Sequence, residues 1–229
     1  ALMDEPVEGW KGVSQGAYVD DFAGQGILLE GIFVHPSLLL PALPGVGQEH
    51  KRMALDYNRM AAFGVMVHDQ GTGRVYNIPG RGRDNRPLST YFAAAGDIDK
   101  LKTGVVHTAE IFFAAGARRV FTGIAPLPVL ETAADAARLR QLKVKPAQVE
   151  MMAFHPLGSC RMAVHPSLGA VSPDGETYDV RNLFVTDGSL VPTSLGVNPQ
   201  ITIMALATQV AAAMDRRLAG ESGQSEERS

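Results

Sequence analysis

FHPLGSCRM (154–162) and NLFVTDGSLVPTSLGVNPQITIMALATQVAAAM (182–214) decide how this chain reads. Leu183 to Thr186 is a short apolar run of strand type that ends on Asp187-Gly188-Ser189. A loop broken by Pro192 and Gly196 then leads to Asn198-Pro199. Asn198 has a side chain suited to capping a helix, and Pro199 suits the first helical position, where no N–H is needed. From Ile201 to Met214 apolar residues occupy nearly every face, which predicts a helix buried in something larger than itself. Its start offers amide donors and the positive end of the macrodipole, both favouring negative charge. A polar loop, a carboxylate beside glycine and a buried helix start together look like one wall of a site.

Upstream, the pattern alternates irregularly between strand and helix. Ala17 to Phe22 and Ile27 to His35 read as strands, and proline-rich Pro36 to Gly47 as a loop. Gln48 to Phe63 has the spacing of an amphipathic helix. Val65 to His68 and Arg74 to Ile78 flank Asp69-Gln70-Gly71-Thr72-Gly73, a hairpin signal. Asp97 to Arg118 reads as a helix, Val120 to Ile124 as a strand, Asp135 to Leu142 as a helix, and Val149 to Phe154 as a strand delivering His155. Such interleaving with a hairpin predicts an α+β fold with an antiparallel or mixed sheet.

Bulk properties narrow the function. The 229 residues are 45% hydrophobic and 20% charged, as in an ordinary globular protein. A net charge of −3 gives no reason to expect a nucleic-acid partner or an anionic membrane surface. One cysteine rules out an internal disulfide, so no oxidising compartment is implied and a cytoplasmic setting is favoured. No uninterrupted apolar run is long enough to predict a membrane span. Gly24-Gln25-Gly26, Gly45-Val46-Gly47, Gly71-Thr72-Gly73 and Gly80-Arg81-Gly82 all lack the third glycine of a dinucleotide-binding turn. No Gly-x-Ser-x-Gly elbow is present.

His155 is the candidate base, because a histidine's ordinary pKa of about 6.5 suits proton transfer near neutrality. The plainer alternative is a histidine hydrogen-bonded at a turn. Asn198 is a second candidate, with helix capping as its alternative role. Asp187-Gly188 by itself reads as a turn closing a strand. His155, Cys160 and His165 do not have the spacing of zinc ligands, so no metal site is predicted. Cys160 reads as a small buried residue rather than a nucleophile. The basic loop PGRGRDNRP (79–87), with Arg81, Arg83 and Arg86, reads as a solvated face, with phosphate binding or partner docking left open.

Three motifs also occur in a fixed order: His155-Pro156-Leu157-Gly158-Ser159-Cys160-Arg161-Met162, Asp187-Gly188-Ser189, and Asn198-Pro199-Gln200-Ile201-Thr202. Together they resemble the C-terminal portion of the glucose–methanol–choline (GMC) flavin oxidoreductases. Ala163 follows Met162 where that family commonly has glycine. The resemblance implies an antiparallel sheet roofing the substrate over 1–154 and a C-terminal segment over 155–219 that completes an FAD site; the polar composition of 220–229 predicts a disordered tail. It implies hydride transfer from an alcohol to FAD, with His155 as base and Asn198 hydrogen-bonding the substrate oxygen. Asp187, Gly188, Asn198, Pro199 and Gln200 would contact the cofactor. The implied partners are a small alcohol and an N-terminal FAD-binding half, which this chain is expected to lack. The competing expectation is a non-catalytic subunit that binds a partner protein and no flavin.

Overall fold

A computed structural model describes residues 1–11, 15–77 and 87–226. The three arginines of the basic loop and Gly80-Arg81-Gly82 lie outside the described residues. In chain order the first elements are β1 (Leu2–Met3), β2 (Tyr18–Val19), β3 (Ile27–Ile32), α1 (Pro36–Ala42), α2 (Gly47–Leu55) and β4 (Ala62–Val67). Then follow β5 (Thr72–Tyr76), β6 (Leu88–Phe92), α3 (Ala95–Ala114), β7 (Ala117–Phe121), β8 (Val129–Leu130), α4 (Ala133–Gln141) and α5 (Gln200–Glu226). Helices with small antiparallel sheets make an α+β fold.

The chain divides into two compact units. The first comprises Ala1–Thr72 and Tyr91–Met152. It holds two three-stranded sheets, in the orders β2-β3-β4 and β1-β7-β8. Its main core joins α3, β7, β8 and α4 through Val106, Ala109, Phe112, Val120, Ile124, Leu130 and Leu139. Gly104 lets α3 approach the β2-β3-β4 sheet, since a Cβ there would collide with Val65 and lie 3.2 Å from Ile27. A second cluster gathers Leu43, Met53 and Met60. The second unit comprises Gly73–Thr90 and Ala153–Ser229. Its core is Val171, Leu190 and Val210.

Several expectations change for local reasons. The hairpin across Asp69–Gly73 does not form a ladder: β4 pairs with β3, and β5 with β6. Asp97 diverts the turn. Its carboxylate, 2% exposed, accepts from the amides of Gln70 at 2.9 Å, Gly71 at 2.8 Å and Ala94 at 3.0 Å. The loop expected over Pro36–Gly47 contains α1, because Pro36 opens it and the His35 ring accepts from the Ser37 amide. The helix expected to reach Phe63 stops at Leu55, where Asp56-Tyr57-Asn58, weak in helix interiors, turns the chain into a single 3₁₀ turn, Tyr57–Arg59.

Val149–Phe154 and Leu183–Thr186 are not strands. A strand needs a ladder, and each run supplies one isolated bridge, Ile124 with Val149 and Glu176 with Phe184. Finally, α5 continues to Glu226, past the Gly220 boundary set from composition. Glutamate and glutamine there are compatible with helix.

Asp97 is the tie between α3 and the segment entering β5. Asp97→Ala strands three amides and is expected to cost about 3 kcal/mol or more. Urea unfolding of the full chain tests this through a lower midpoint at unchanged slope; an unmoved midpoint would show that the tie is dispensable.

Candidate functional site

All the motif residues fall in the second unit, and backbone geometry brings their segments together. The amide of Cys160 donates to Ser189 O at 3.1 Å, and that of Met162 to Leu190 O at 2.9 Å. The segment after His155 therefore runs beside the one after Asp187. Gly158 turns with a φ of +78°, a conformation that favours glycine. Gly188 sits where these segments meet the start of α5. A Cβ there would lie 3.0 Å from Ile203 Cδ1, 3.2 Å from Leu157 Cδ2 and 3.3 Å from Pro156 O. The absence of a side chain at Gly188 is what lets the Pro156-Leu157 peptide and the first turn of α5 share one place.

Each candidate has a definite setting. His155 is exposed in a bend. Among the described residues its ring has no hydrogen-bond partner, so the plain role of a histidine pinned at a turn does not describe it. That role belongs to His165, whose ring accepts from the Ser167 amide and meets its hydroxyl at 2.8 Å, the same arrangement as at His35. Among the described residues no group of three or more His, Cys, Asp or Glu side chains is placed to hold a metal ion.

Asn198 is half-buried, Pro199 buried and Gln200 exposed. Pro199 O accepts from the Ile203 amide at 2.9 Å, so the helix opens at Pro199 and Asn198 stands one residue outside it. The amides of Gln200, Ile201 and Thr202 have no helical carbonyl four residues back and emerge from the first turn.

Asp187 accepts from the Ser189 amide at 2.7 Å and opens a short 3₁₀ turn, Gly188–Leu190. The hydroxyl and amide of Ser189 hold its carboxyl below the ordinary 3.8, against a smaller opposing effect of burial. Glu176, absent from the sequence-based candidates, organises the unit from the other side. It accepts from the Asn182 amide at 2.7 Å and from Arg217 on α5 at 2.5 Å. The Asn182 amide, with help from Arg217, keeps its carboxyl below the ordinary 4.5. Only the wider spacing 176–182–217 marks it, which no local motif would reveal. A cavity of about 210 Å³ in the first unit, lined by Asp99, Lys102, Thr103, Val106 and Arg140, contains none of the motif residues.

One face of α5 is covered, at Ile203, Leu206, Ala207, Val210, Ala213, Met214 and Arg217. These positions follow helical spacing. The opposite face is open, with Ile201 76% and Met204 57% exposed. The helix predicted to be buried all round is covered on one side within this chain. No helix among the described residues is long and apolar enough to cross a membrane.

Comparison with known proteins gives a consistent assignment. Residues 70–207 match the family model described as GMC oxidoreductase. The chain is 33% identical over 211 residues to an uncharacterized GMC-type oxidoreductase of Mycobacterium tuberculosis, an alignment covering 92% of this chain and 33% of that protein. It is 30% identical over 183 residues to a long-chain-alcohol oxidase of Arabidopsis thaliana, covering 76% of this chain and 24% of that one. A cholesterol oxidase of Acinetobacter baumannii is 43% identical over 53 residues, covering 23% of this chain and 10% of that one. The chain thus spans about a third or less of the length of these relatives.

Two outcomes follow from the packing and the charges. Gly175 (φ +81°) presses against Val210 of α5, so Gly175→Ala adds backbone strain to a clash, whereas Gly188→Ala asks its neighbours to shift by tenths of an ångström. Gly188→Ala is expected to cost about 1–3 kcal/mol and Gly175→Ala more, ranked by thermal unfolding; the reverse order would contradict the packing.

Asp187 and Glu176 have lowered folded-state pKa values. Their contribution is therefore full above their ordinary values and lost as pH falls through the folded ones. Melting temperature against pH should fall less steeply below about pH 4 in the Asp187→Asn, Glu176→Gln double variant than in the parent. Parallel acid limbs would remove these two groups from the account.

Proposed function

The chain belongs to the GMC oxidoreductase family, and from that premise we propose that it carries the substrate-activating part of an FAD-dependent alcohol oxidoreductase. The supporting observation is the convergence at Gly188, which sets Pro156-Leu157, next to His155, against the first turn of α5. The similarity to a long-chain-alcohol oxidase favours alcohols with long apolar chains as substrates.

The residues present suit a flavin. Amides leaving the first turn of α5, with the helix dipole behind them, match the electron-rich pyrimidine edge of an isoalloxazine ring. Asp187, Gly188, Asn198, Pro199 and Gln200 would line that group, Gly188 permitting close approach through its lack of a side chain. FAD supplies hydride acceptance when bound. His155 takes the hydroxyl proton, general-base work to which an imidazole side chain is suited. The Asn198 amide donates to the substrate oxygen as charge develops there, without competing for its proton. The α5 start stabilises negative charge on the neighbouring ring. The remaining flavin contacts fall to an N-terminal FAD-binding half, the partner proposed for this chain.

A second reading draws on the open face of α5. Exposed Ile201 and Met204 also suit a subunit that docks on a protein and binds no flavin.

His155→Ala in the flavin-loaded enzyme is expected to lower kcat by about 10²–10⁴-fold with the bound-flavin visible spectrum unchanged. Turnover equal to the parent's would remove His155 as base. Failure to retain any flavin, with or without an N-terminal half, would move the assignment to the docking subunit.

A further inference from the structure

The residues of β4, Ala62-Phe63-Gly64-Val65-Met66-Val67, carry no charge and no proline, and β4 is the outer strand of the β2-β3-β4 sheet. A long apolar edge of this kind offers amides and carbonyls to another strand unless something covers it. Antiparallel pairing fixes which groups those are. Val67 stands opposite Ile27, and the His68 amide donates to Gly26 O at 2.8 Å. Hydrogen-bonded pairs alternate along such a ladder, so they are Leu28 with Met66, Glu30 with Gly64 and Ile32 with Ala62. The backbone groups of Phe63, Val65 and Val67 therefore point away from β3. Among the described residues no strand lies beyond these three, and no backbone hydrogen bond from a turn or loop reaches them. One face of the strand is occupied, with Phe63 edge-on to Phe112 at 5.5 Å and Val65 against Gly104 of α3. The edge is not.

The residues just before β4 show what fits there. The Ala61 amide donates to Ala1 O at 3.0 Å, and the Ala1 amine donates to Ala61 O at 2.7 Å. Leu2 forms an antiparallel bridge with Met60. Burial draws the Ala1 amine down to about 5, so near neutrality it is an uncharged N–H donor, as a strand amide is. Ala61 is thus the first of four outward-facing residues at alternate positions, and Ala1 and Leu2 set the register for the other three. A strand continued along that line past Ala1 reaches Phe63, Val65 and Val67 in turn. On its other side Leu2 pairs with Arg119 of β7, so β1 lies between β7 and the entry to β4.

We infer that the outer edge of β4 seats a strand of the N-terminal half, antiparallel to β4 in the register of Ala1 and Leu2, exchanging backbone hydrogen bonds with Phe63, Val65 and Val67. This rests on the reading of the chain as one part of a two-part oxidoreductase, and it adds a surface where the parts meet. The aligned region is 33% of the mycobacterial relative, which leaves ample chain for such a strand. Main-chain bonds supply the affinity in strand addition. Directly opposed side chains share a face, so the incoming residues opposite Phe63, Val65 and Val67 lie on the α3 side and are apolar. In line with β1, the added strand joins the two three-stranded sheets of the first unit into one.

Backbone amide hydrogen exchange, resolved by residue with NMR, tests this on the chain alone and on the chain with the N-terminal half. The amides of Gly64 and Met66, held by β3, are the internal standard. Those of Phe63, Val65 and Val67 are expected to exchange fast in the chain alone and roughly a hundredfold or more slowly with the half bound. Val67→Pro removes one outward donor and leaves the β3 ladder whole. It is expected to weaken binding of the half about tenfold while Gly64 and Met66 stay protected. Fast exchange at the three amides with the half bound overturns the inference, and so does a Val67→Pro chain that binds as tightly as the parent. Slow exchange in the chain alone overturns it too, assigning the edge to a second copy where the slowing grows with concentration. A half that slows the three amides but yields no flavin binding supports the strand and overturns the oxidoreductase reading. A flavin-retaining, alcohol-oxidising pair with fast edge amides overturns the strand alone. A half that does not bind overturns both.

Discussion

A missing side chain at Gly188 is the constraint on which the second unit depends. Two segments remote in sequence pass within van der Waals reach of that position in the turn after Asp187: Pro156-Leu157, and Ile203 on α5. Hydrogen bonds from Cys160 to Ser189 and from Met162 to Leu190 fix the first of these beside the turn, and Val171, Leu190 and Val210 close the core beneath them. Interiors pack at crystalline density, so even one methyl group has to be accommodated by movement. The same geometry that makes the crossing sensitive gives His155 and the start of α5 their common frame.

Carboxylates do most of the work of changing chain direction. Asp97 gathers amides from Ala94, Gln70 and Gly71. Asp135 takes those of Glu131 and Thr132 before α4, Asp187 that of Ser189 and Glu176 that of Asn182. Each meets donors that the backbone would otherwise leave unpaired at a turn or helix start, and each sits where negative charge is favoured.

The sequence was most legible where a residue type has one physical use. The α+β class follows from mixed periodicities, and α3 and α4 from caps and spacing, with Asp97 and Asp135 each three positions after the residue that opens the helix. The motif segments were readable because glycine, proline and histidine recur at set intervals. What stayed hidden depended on partners. Leu183–Thr186 has strand character, but pairing is a property of two segments, and one bridge is what its surroundings supply. The β4–β5 hairpin failed because Asp97, more than twenty positions away, captures the turn amides. Proline in Pro36–Gly47 argued for a loop, although Pro36 is well placed to begin a helix. Glu176 was invisible for the same reason: its role exists only once Asn182 and Arg217 are brought beside it.

The two faces of α5 connect this packing to chemistry. The strength of a helix terminus toward negative charge depends on what surrounds it. In water the field is screened, and in an apolar enclosure the same dipoles act several times more strongly. Here the donors of Gln200, Ile201 and Thr202 emerge beside exposed Ile201 and Met204 and half-exposed Val197, a rim that is apolar but open. Covering that rim, by a ring stacked on it or by protein laid over it, removes water from the amides and raises their effect on bound charge. An apolar surface at a helix start is thus more than a docking face. Whatever covers it completes the electrostatics of the helix start, which is why the packing of α5 and its effect on bound charge cannot be separated.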